Sequence, residues 1–258
     1  MRKAIGPGLA LLLGCAAPAP GGPAPYVPDP VDVPDDEAST FLAPNFRDSD
    51  GTPAYVHYTR EHMPIRVAVH VPLDAPRDGS PDDARKAVQA GILIWEQALE
   101  TEIDWFDIEI VEDDADAAIV VGWSGAMGSA RKAHARCRLD DVETFAQSCR
   151  IDLAVGRHPS PIAGFVNGMP VFQDPGELVD RQTRMQLTNL AAHEFGHVLG
   201  LGHCWCDSIM AYSNSRRPPM TITELDVRTL LALFEVPNGT RADGRMLGVG
   251  RHRAAPAP

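Results

Sequence analysis

The sequence predicts an α+β domain with about five strands and three main helices. The prediction depends on five short β-type stretches, on three longer helical patterns with recognisable caps, and on the absence of an internal repeat. In strands apolar residues alternate or run together, whereas in helices they recur every three or four positions. The predicted strands are Ile65–Val71, Phe106–Val111, Ala118–Trp123, Ala133–Leu139 and Arg150–Val155.

The character of each strand follows from its residues. Ile65–Val71 alternates and is rich in β-branched residues. Ala118–Trp123 is continuously apolar, which is typical of a strand buried on both faces. Ala133–Leu139 is predicted as an edge strand and Arg150–Val155 as an inner one. Residues 158–180 are rich in glycine and proline, so an irregular loop is expected there.

The first helix has the clearest start signal. In Ser80-Pro81-Asp82-Asp83, serine is an N-cap, proline fits the first turn and the acids favour the positive end of the helix. The helix is predicted to run to about Glu100, with Trp95 on its apolar face as a core residue. The other two helices are predicted to begin near Asp180 or Thr183 and at Thr223.

The most informative stretch is His193–His203, which reads HEFGHVLGLGH. His193 and His197 are four residues apart, so on a helix their rings share one face. Gly200 lets the backbone leave the helix, because glycine adopts positive φ at little cost, and the turn brings back His203. Three neutral imidazoles leave the fourth tetrahedral position of zinc to water, which indicates a catalytic rather than a structural site.

Glu194 is the candidate general base. Zinc lowers the pKa of its bound water to about 7, and an adjacent glutamate can accept that proton. A bare HExxH pair can occur by chance on a buried helix, but the five fixed positions of this string are far more specific. The sequence therefore predicts one catalytic zinc ion held by His193, His197 and His203.

Length and charge limit the classes of function. The chain has 258 residues, of which 44% are hydrophobic and 22% charged, enough for one large domain or two small ones. Its formal net charge is −12 and its isoelectric point is about 5.1. This acidity argues against nucleic acid as a partner but does not identify a substrate. A monomer is expected.

Four of the five cysteines are disulfide candidates. Cys15 belongs to the export signal, and an even number of remaining cysteines in an exported chain suits two disulfides. Cys137 and Cys149 are the preferred pair, because RCRL and CRIDL resemble two arms of a hairpin. Cys204 with Cys206 then follows by elimination, with cross-pairing or free thiols left open because that ring is tight.

The first fifteen residues predict an export signal. A short positive region precedes the apolar run Leu9–Leu13, which is too short to span a bilayer. The run leads into Leu-Leu-Gly-Cys, which resembles the lipobox of bacterial lipoproteins and predicts a lipid on Cys15. The same resemblance implies that Ala16 carries no inner-membrane retention signal, so an outer-membrane anchor at the cell envelope is expected. The alternative is an ordinary cleaved signal peptide with an incidental cysteine.

Composition also predicts the boundaries of the folded domain. Residues 16–45 are dense in proline, alanine and glycine at their start and are predicted to be a flexible tether. Residues 46–240 form the predicted catalytic domain. Residues 241–258 end in a proline-rich segment and are predicted to be a disordered tail.

Two further metal sites are weaker possibilities. His134 and His158 are candidate ligands of a second metal, although exposed or satisfied histidines are the commoner case. Asp140, Asp141 and Glu143 are candidate calcium ligands, although a solvated run of charge is the commoner explanation.

The zinc motif and its surroundings resemble the metzincin zinc endopeptidases, and most of all the matrixins, over roughly Met63–Val236. HEFGHVLGLGH matches their zinc signature, and Met210 in SIMAY stands where they place the Met-turn, a hydrophobic floor beneath the metal. The order of the remaining segments is also that of the matrixins: PIRVAVH, IWEQAL, DAAIVVGW, the helix with the zinc signature, and TITELDVRTLLALF. The resemblance implies a mixed twisted sheet, a cleft across the middle of the domain, and a substrate strand paired with Ala133–Leu139.

The sequence departs from the matrixin pattern in three respects. Tyr212 replaces the usual proline and resembles the tyrosine of astacins and serralysins, where it stabilises the oxyanion; simple packing is the alternative. Cys204 directly after His203 resembles the archaemetzincins, but no cysteine stands two residues before Met210. No cysteine-switch propeptide is recognisable, so latency has to be managed in another way or not at all.

The predicted function is hydrolysis of peptide bonds by a zinc-dependent endopeptidase, in which Glu194 takes a proton from a zinc-bound water. The alternatives are a non-catalytic, surface-tethered binding lipoprotein that contains zinc, and a narrow-specificity, archaemetzincin-like peptidase. Glu194 argues against the first of these, because a purely structural zinc site needs no general base.

Overall fold

A five-stranded mixed sheet forms the centre of the structure. The computed structural model describes residues 31–32, 40–48, 50–124, 133–156, 164–166, 169–171, 181–211 and 221–247. The strands are β1 Ile65–Val69, β2 Ile108–Val111, β3 Ile119–Trp123, β4 Ala133–Leu139 and β5 Gln147–Leu153. Across the sheet the order is β2-β1-β3-β5-β4, and β4 alone runs antiparallel to its neighbour. The predicted mixed α+β fold is therefore confirmed.

Three α-helices lie in the described part of the chain: α1 Pro81–Leu99, α2 Arg184–Leu199 and α3 Glu224–Glu235. Each begins at a serine or threonine whose hydroxyl accepts a hydrogen bond from the backbone N–H three residues later. Such caps satisfy donors that the first helical turn leaves unpaired. The predicted start of α1 is confirmed, and α2 is capped by Thr183 rather than Asp180.

One apolar core joins α1 and α2 to the sheet. Trp95 is fully buried, as predicted, and its indole Nε1–H donates to the carbonyl of Ala192 at 2.9 Å. The bond satisfies the single polar group of a large apolar side chain, so burial carries no unpaired donor. It also ties α1 directly to α2, the helix of the histidine motif.

The predicted irregular loop over 158–180 contains a pair of short strands. Gly164–Val166 and Met169–Val171 pair antiparallel. The prediction of a wholly irregular loop is therefore wrong for these residues. The signal was in the sequence, because Asn167-Gly168 between two apolar triplets is a strong hairpin pattern.

The predicted flexible tether over 16–45 is wrong for its last residues. Phe41 is completely buried, and its backbone N–H donates to Thr229 Oγ1 at 3.3 Å. The Asn45 side chain accepts from the Val56 N–H at 2.9 Å. Residues 40–45 therefore belong to the folded domain, because their partners lie far along the chain where composition does not indicate them. Farther upstream, Val31–Asp32 pairs in parallel with Cys204–Trp205.

The predicted disordered tail also begins too early. Arg241 forms ion pairs with Asp48 at 2.9 Å and with Asp50 at 2.7 Å. Leu247 is 8% exposed and packs with Ala54 and Val56 in a small second core. Residues 241–247 are thus part of the domain. Among the described residues, no helix is both long and apolar enough to cross a bilayer.

Candidate metal centre

The three predicted histidine ligands converge. His203 Nε2 lies 3.2 Å from both His193 Nε2 and His197 Nε2. The first two histidines stand one turn apart on α2, and the third follows the turn at Gly200, whose φ of 107° ends the helix as predicted. In the described residues, these three form the only group of at least three potential metal ligands whose donor atoms lie within 4.8 Å.

Backbone carbonyls set the orientation of two of these rings. His193 Nδ1 lies 2.7 Å from the carbonyl oxygen of Ile209, and His197 Nδ1 lies 2.8 Å from that of Leu201. A carbonyl oxygen can only accept, so Nδ1–H is the donor in each ring. The lone pair is therefore left on Nε2, the atom that faces the other histidines. Such outer hydrogen bonds fix the tautomer that a metal ligand needs.

Burial keeps the three imidazoles neutral. It is the largest cause that lowers the pKa of His193, His197 and His203, and it brings the pKa of His203 to about 4. The neighbouring imidazoles lower the pKa of His197 further, because two positive rings at this distance repel. At neutral pH the cluster offers three uncharged nitrogen donors, the form that binds a metal.

The donor set and spacing fit zinc. Zinc binds histidine nitrogen at about 2.0–2.1 Å, which in a tetrahedron separates two ligand nitrogens by about 3.3 Å. The two Nε2–Nε2 distances of 3.2 Å agree with that value. Three nitrogen donors leave one tetrahedral position open, as in catalytic zinc sites.

Met210 packs against α2 at Gly196, the residue before His197. It is fully buried, and its Sδ is the atom that a Cβ added at Gly196 would meet first. Gly196 thus makes room for the methionine between the turns that carry His193 and His197. The prediction that Met210 forms an apolar floor fits this contact.

Comparison with known families agrees with the site. A family model described as matrixin matches residues 75–235, more than half of the chain. The chain belongs to the matrixin family. The match includes α1, strands β2–β5, the three histidines and α3, so the predicted resemblance is confirmed. A search of curated proteins gives no match.

Family membership makes this matrixin a zinc metalloprotease in general terms, and its three-histidine cluster fits that metal. Glu194, which directly follows His193 in α2, is 6% exposed. A glutamate this buried is uncommon unless it has a specific role or partner. Its role as a general base stays a prediction.

A buried aspartate that sequence reasoning missed supports the loop carrying Met210. Asp226, in the first turn of α3, accepts hydrogen bonds from Ser208 Oγ and from the Ile209 N–H. Burial raises the pKa of Asp226, while the hydrogen bonds to Ser208 and Thr223 oppose that rise. Since the Ile209 carbonyl in turn holds His193, this carboxylate lies two contacts from a metal ligand. Only its first-turn position was visible in the sequence.

Both predicted disulfides are present in this matrixin. Cys137 and Cys149 stand directly opposite each other in β4 and β5, so they lie on paired strands as the hairpin interpretation expects. Cys204 pairs with Cys206 immediately after the third ligand. The Cys204 N–H also donates to the Met210 carbonyl at 3.2 Å, which closes the loop between His203 and Met210.

Several other predicted residues are not part of the cluster. Cys15, His158 and Tyr212 lie outside the described residues, so lipidation, the second metal and the role of the tyrosine stay predictions. His134 lies close enough to His197 to help lower its pKa. Asp140 pairs with Arg138, and Asp141 accepts from the Glu143 N–H at 3.0 Å, so these acids have partners within the protein. Calcium binding stays a prediction.

Proposed function

We propose that this matrixin is an endopeptidase that uses zinc and Glu194 to hydrolyse peptide bonds. The observation that carries the proposal is the convergence of three neutral imidazole nitrogens, with a buried glutamate adjacent in sequence. A site with structural zinc alone would need a fourth protein ligand and no neighbouring base. Membership in a protease family supports the same reaction.

The residues of the site have distinct roles in this reaction. Zinc, when bound, supplies a Lewis acid that polarises the scissile carbonyl and makes water more acidic. The Glu194 carboxylate accepts a proton from the attacking water and then delivers it to the nitrogen of the leaving amine. The proton taken up in the first step leaves in the second, so the carboxylate is ionised again at the end of each cycle.

The edge strand β4 supports an extended mode of substrate binding. No strand of the described structure pairs with its outer side. An extended peptide can add to such an edge through backbone hydrogen bonds. β4 packs against α2, which carries His193 and His197, so a peptide on this edge would lie beside the histidine cluster.

Replacing Glu194 by alanine tests the mechanism. General acid–base catalysis contributes about 10²–10⁴-fold, so Glu194→Ala is expected to reduce kcat/KM for unfolded protein substrates by at least about 100-fold. Zinc content, measured on the same sample, should stay near one ion per chain. Glu224→Ala is a matched control, because the Glu224 side chain is 84% exposed on α3. Wild-type rates in the Glu194 variant would contradict the mechanism.

The binding-protein alternative predicts a different result. A non-catalytic zinc lipoprotein would retain zinc but cleave no unfolded protein, with or without a chelator. An endopeptidase should cleave such substrates, lose the activity with chelator and regain it with added zinc. Failure on generic substrates but cleavage of a single envelope protein would favour the narrow-specificity peptidase.

We also propose that the protein is exported and anchored to the cell envelope through a lipid on Cys15. The support is the sequence alone, in which the apolar run ends at this cysteine. Metabolic labelling with a fatty acid should mark the wild type and not Cys15→Ser. A wild type that remains unlabelled and in the soluble fraction would exclude the anchor.

A further inference from the structure

A row of arginines follows one face of the edge strand. Side chains at every second position of a strand lie on the same face, so Arg136 and Arg138 share a face of β4. Arg150 in β5 stands directly opposite Arg136 and joins the same face. The side chains of these arginines are 54%, 79% and 52% exposed. We name Arg136, Arg138 and Arg150 the arginine row.

Acidic partners orient the arginine row without using all its donors. Arg136 and Arg150 each donate to Asp152 at 2.8 Å, and Arg138 donates to Asp140 at 2.8 Å. Burial alone would raise the pKa of Asp152, but the hydrogen bonds from the two arginines outweigh it and lower that pKa. Each guanidinium has five N–H donors, so most remain available for a ligand.

The arginine row borders a shallow depression of about 380 Å³. Ser148 adds a hydroxyl to its wall and Val120 an apolar surface. Three guanidinium groups against the two carboxylates of Asp140 and Asp152 leave a local positive excess. The chain as a whole has a formal net charge of −12, so this positive surface differs in sign from the protein's overall charge. Guanidinium groups bind carboxylates through paired hydrogen bonds, so acidic side chains are the fitting ligand.

We propose that this matrixin prefers substrates with Asp or Glu at two alternate positions on the amino-terminal side of the cleaved bond. The inference rests on the proposed endopeptidase function. Substrate residues opposite Arg136 and Arg138 are two apart and project to the same face as the arginine row. Acidic side chains there pair with guanidinium groups across the two strands.

The direction of β4 determines which side of the cleaved bond is read. β4 packs against α2, the helix that carries His193 and His197, and His134 in the first part of the strand is within electrostatic reach of His197. Arg136 and Arg138 follow at about 7 Å and 13 Å farther along the strand. A peptide that adds antiparallel to β4 runs toward the histidine cluster, so its amino-terminal part lies along the arginine row. The residues after the cleaved bond lie beyond His134.

Two peptide pools provide the test. Both consist of fluorescently labelled ten-residue peptides with the same randomised residues at most positions. One pool has Glu at positions three and five, and the other has Gln at these two positions. Cross-strand ion pairs at exposed sites contribute modestly, so the zinc-loaded wild type should cleave the Glu pool with about 3- to 10-fold higher kcat/KM. Product sequencing should place the cleaved bonds carboxy-terminal to the two glutamates. The preference should shrink at high salt, because exposed charges are screened.

Variants connect the preference to the arginine row. Arg136→Gln/Arg138→Gln should bring the Glu-to-Gln ratio close to one, and the single change Arg138→Gln, at the most exposed position, should lower it partway. Arg136→Glu/Arg138→Glu should reverse the preference toward a matching Lys pool. Arg245→Gln is the control, since Arg245 is 78% exposed and pairs only with Asp243 in the described contacts; the ratio should not change.

The outcomes separate the two proposals. Equal cleavage of the Glu and Gln pools by the wild type would overturn the acidic preference and leave the endopeptidase function standing. If neither pool is cleaved, the binding of each pool to zinc-loaded Glu194→Ala is measured by fluorescence anisotropy, and the comparison tests the acidic preference. Tighter binding of the Glu pool would then retain the acidic preference and overturn an endopeptidase of broad specificity, whereas equal binding would overturn both.

Discussion

Gly196 shows how a residue without a side chain makes room for a contact between α2 and the loop that carries Met210. A glycine inside a helix costs about 1 kcal/mol relative to alanine, so it usually has a packing reason. Here the reason is the Met210 sulfur, which occupies the space of a side chain at position 196. The spacing of the three histidines was readable from the sequence, but this contact was not, because it joins residues on different elements.

Gly196→Ala is expected to destabilise the protein by about 1–3 kcal/mol, because the added methyl overlaps Met210 in a packed interior. Denaturant unfolding of the zinc-loaded protein measures the loss. In a Met210→Ala background the same substitution should cost less, because only the Trp95 ring would then crowd the added methyl. An equal cost in both backgrounds would contradict the contact as the cause.

The histidine cluster predicts a pH dependence for the zinc-free protein. The folded-state pKa of His203 is about 4, against 6.5 for an unperturbed histidine. Between these values the unfolded chain binds more protons, so the free energy of unfolding falls as pH falls from about 6.5 to about 4. The loss from His203 is on the order of 3 kcal/mol. Urea unfolding at several pH values should show that the free energy of unfolding depends less steeply on pH in His203→Asn than in the wild type. An equally steep dependence would mean that His203 is not its cause.

At the scale of elements, local signals predicted the main strands and helices well. Ser80, Thr183 and Thr223 cap the helices because their hydroxyls act on the very next turn, and such short-range chemistry is legible in sequence. The edge position of β4 and the inner position of β5 were predicted and are confirmed. The full pairing order was not legible, because register depends on partners that are distant in the chain. Asp226 illustrates the difference: its place in the first turn of α3 follows from the cap at Thr223, but its bonds to the loop that carries Met210 were not legible.

Asp226→Ala should loosen the connection between α3 and that loop. Buried donors at Ser208 and Ile209 would lose their acceptor, at a cost of about 1–3 kcal/mol for each group left unpaired. Zinc affinity should fall about 10- to 100-fold, since Ile209 holds His193. Chelator competition measures the affinity. Asp104→Ala is a control with little expected effect, because the Asp104 side chain is 83% exposed. Unchanged zinc affinity in Asp226→Ala would contradict this coupling.

At the scale of the whole molecule, residues from both ends of the described chain complete the domain. Phe41 packs in the main core against α3, and Leu247 packs in the second core with Ala54 and Val56. Composition placed both within flexible segments, because proline and charge nearby outweigh a single apolar residue in such a prediction. Their burial depends on contacts across about 190 residues of sequence, as in the pair Phe41 and Thr229.

Phe41→Ala is therefore expected to cost about 3–5 kcal/mol, the usual loss for a fully buried phenylalanine. Chemical unfolding with zinc in excess measures it. Phe46→Ala is a matched control, because Phe46 is only partly buried and should cost less. Similar stability of the wild type and Phe41→Ala would contradict the placement of Phe41 in the main core.

The pairing of Val31–Asp32 with Cys204–Trp205 has a consequence for where cleavage can occur. Cys15 precedes Val31 by sixteen positions, a length of chain that reaches at most about 55 Å when fully stretched. If Cys15 carries the proposed lipid, a segment of that length connects the membrane to the strand Val31–Asp32, which pairs with the residues directly after His203. The proposed catalytic centre would then stay within a limited distance of the bilayer, and only polypeptides that come within that distance would be cleaved.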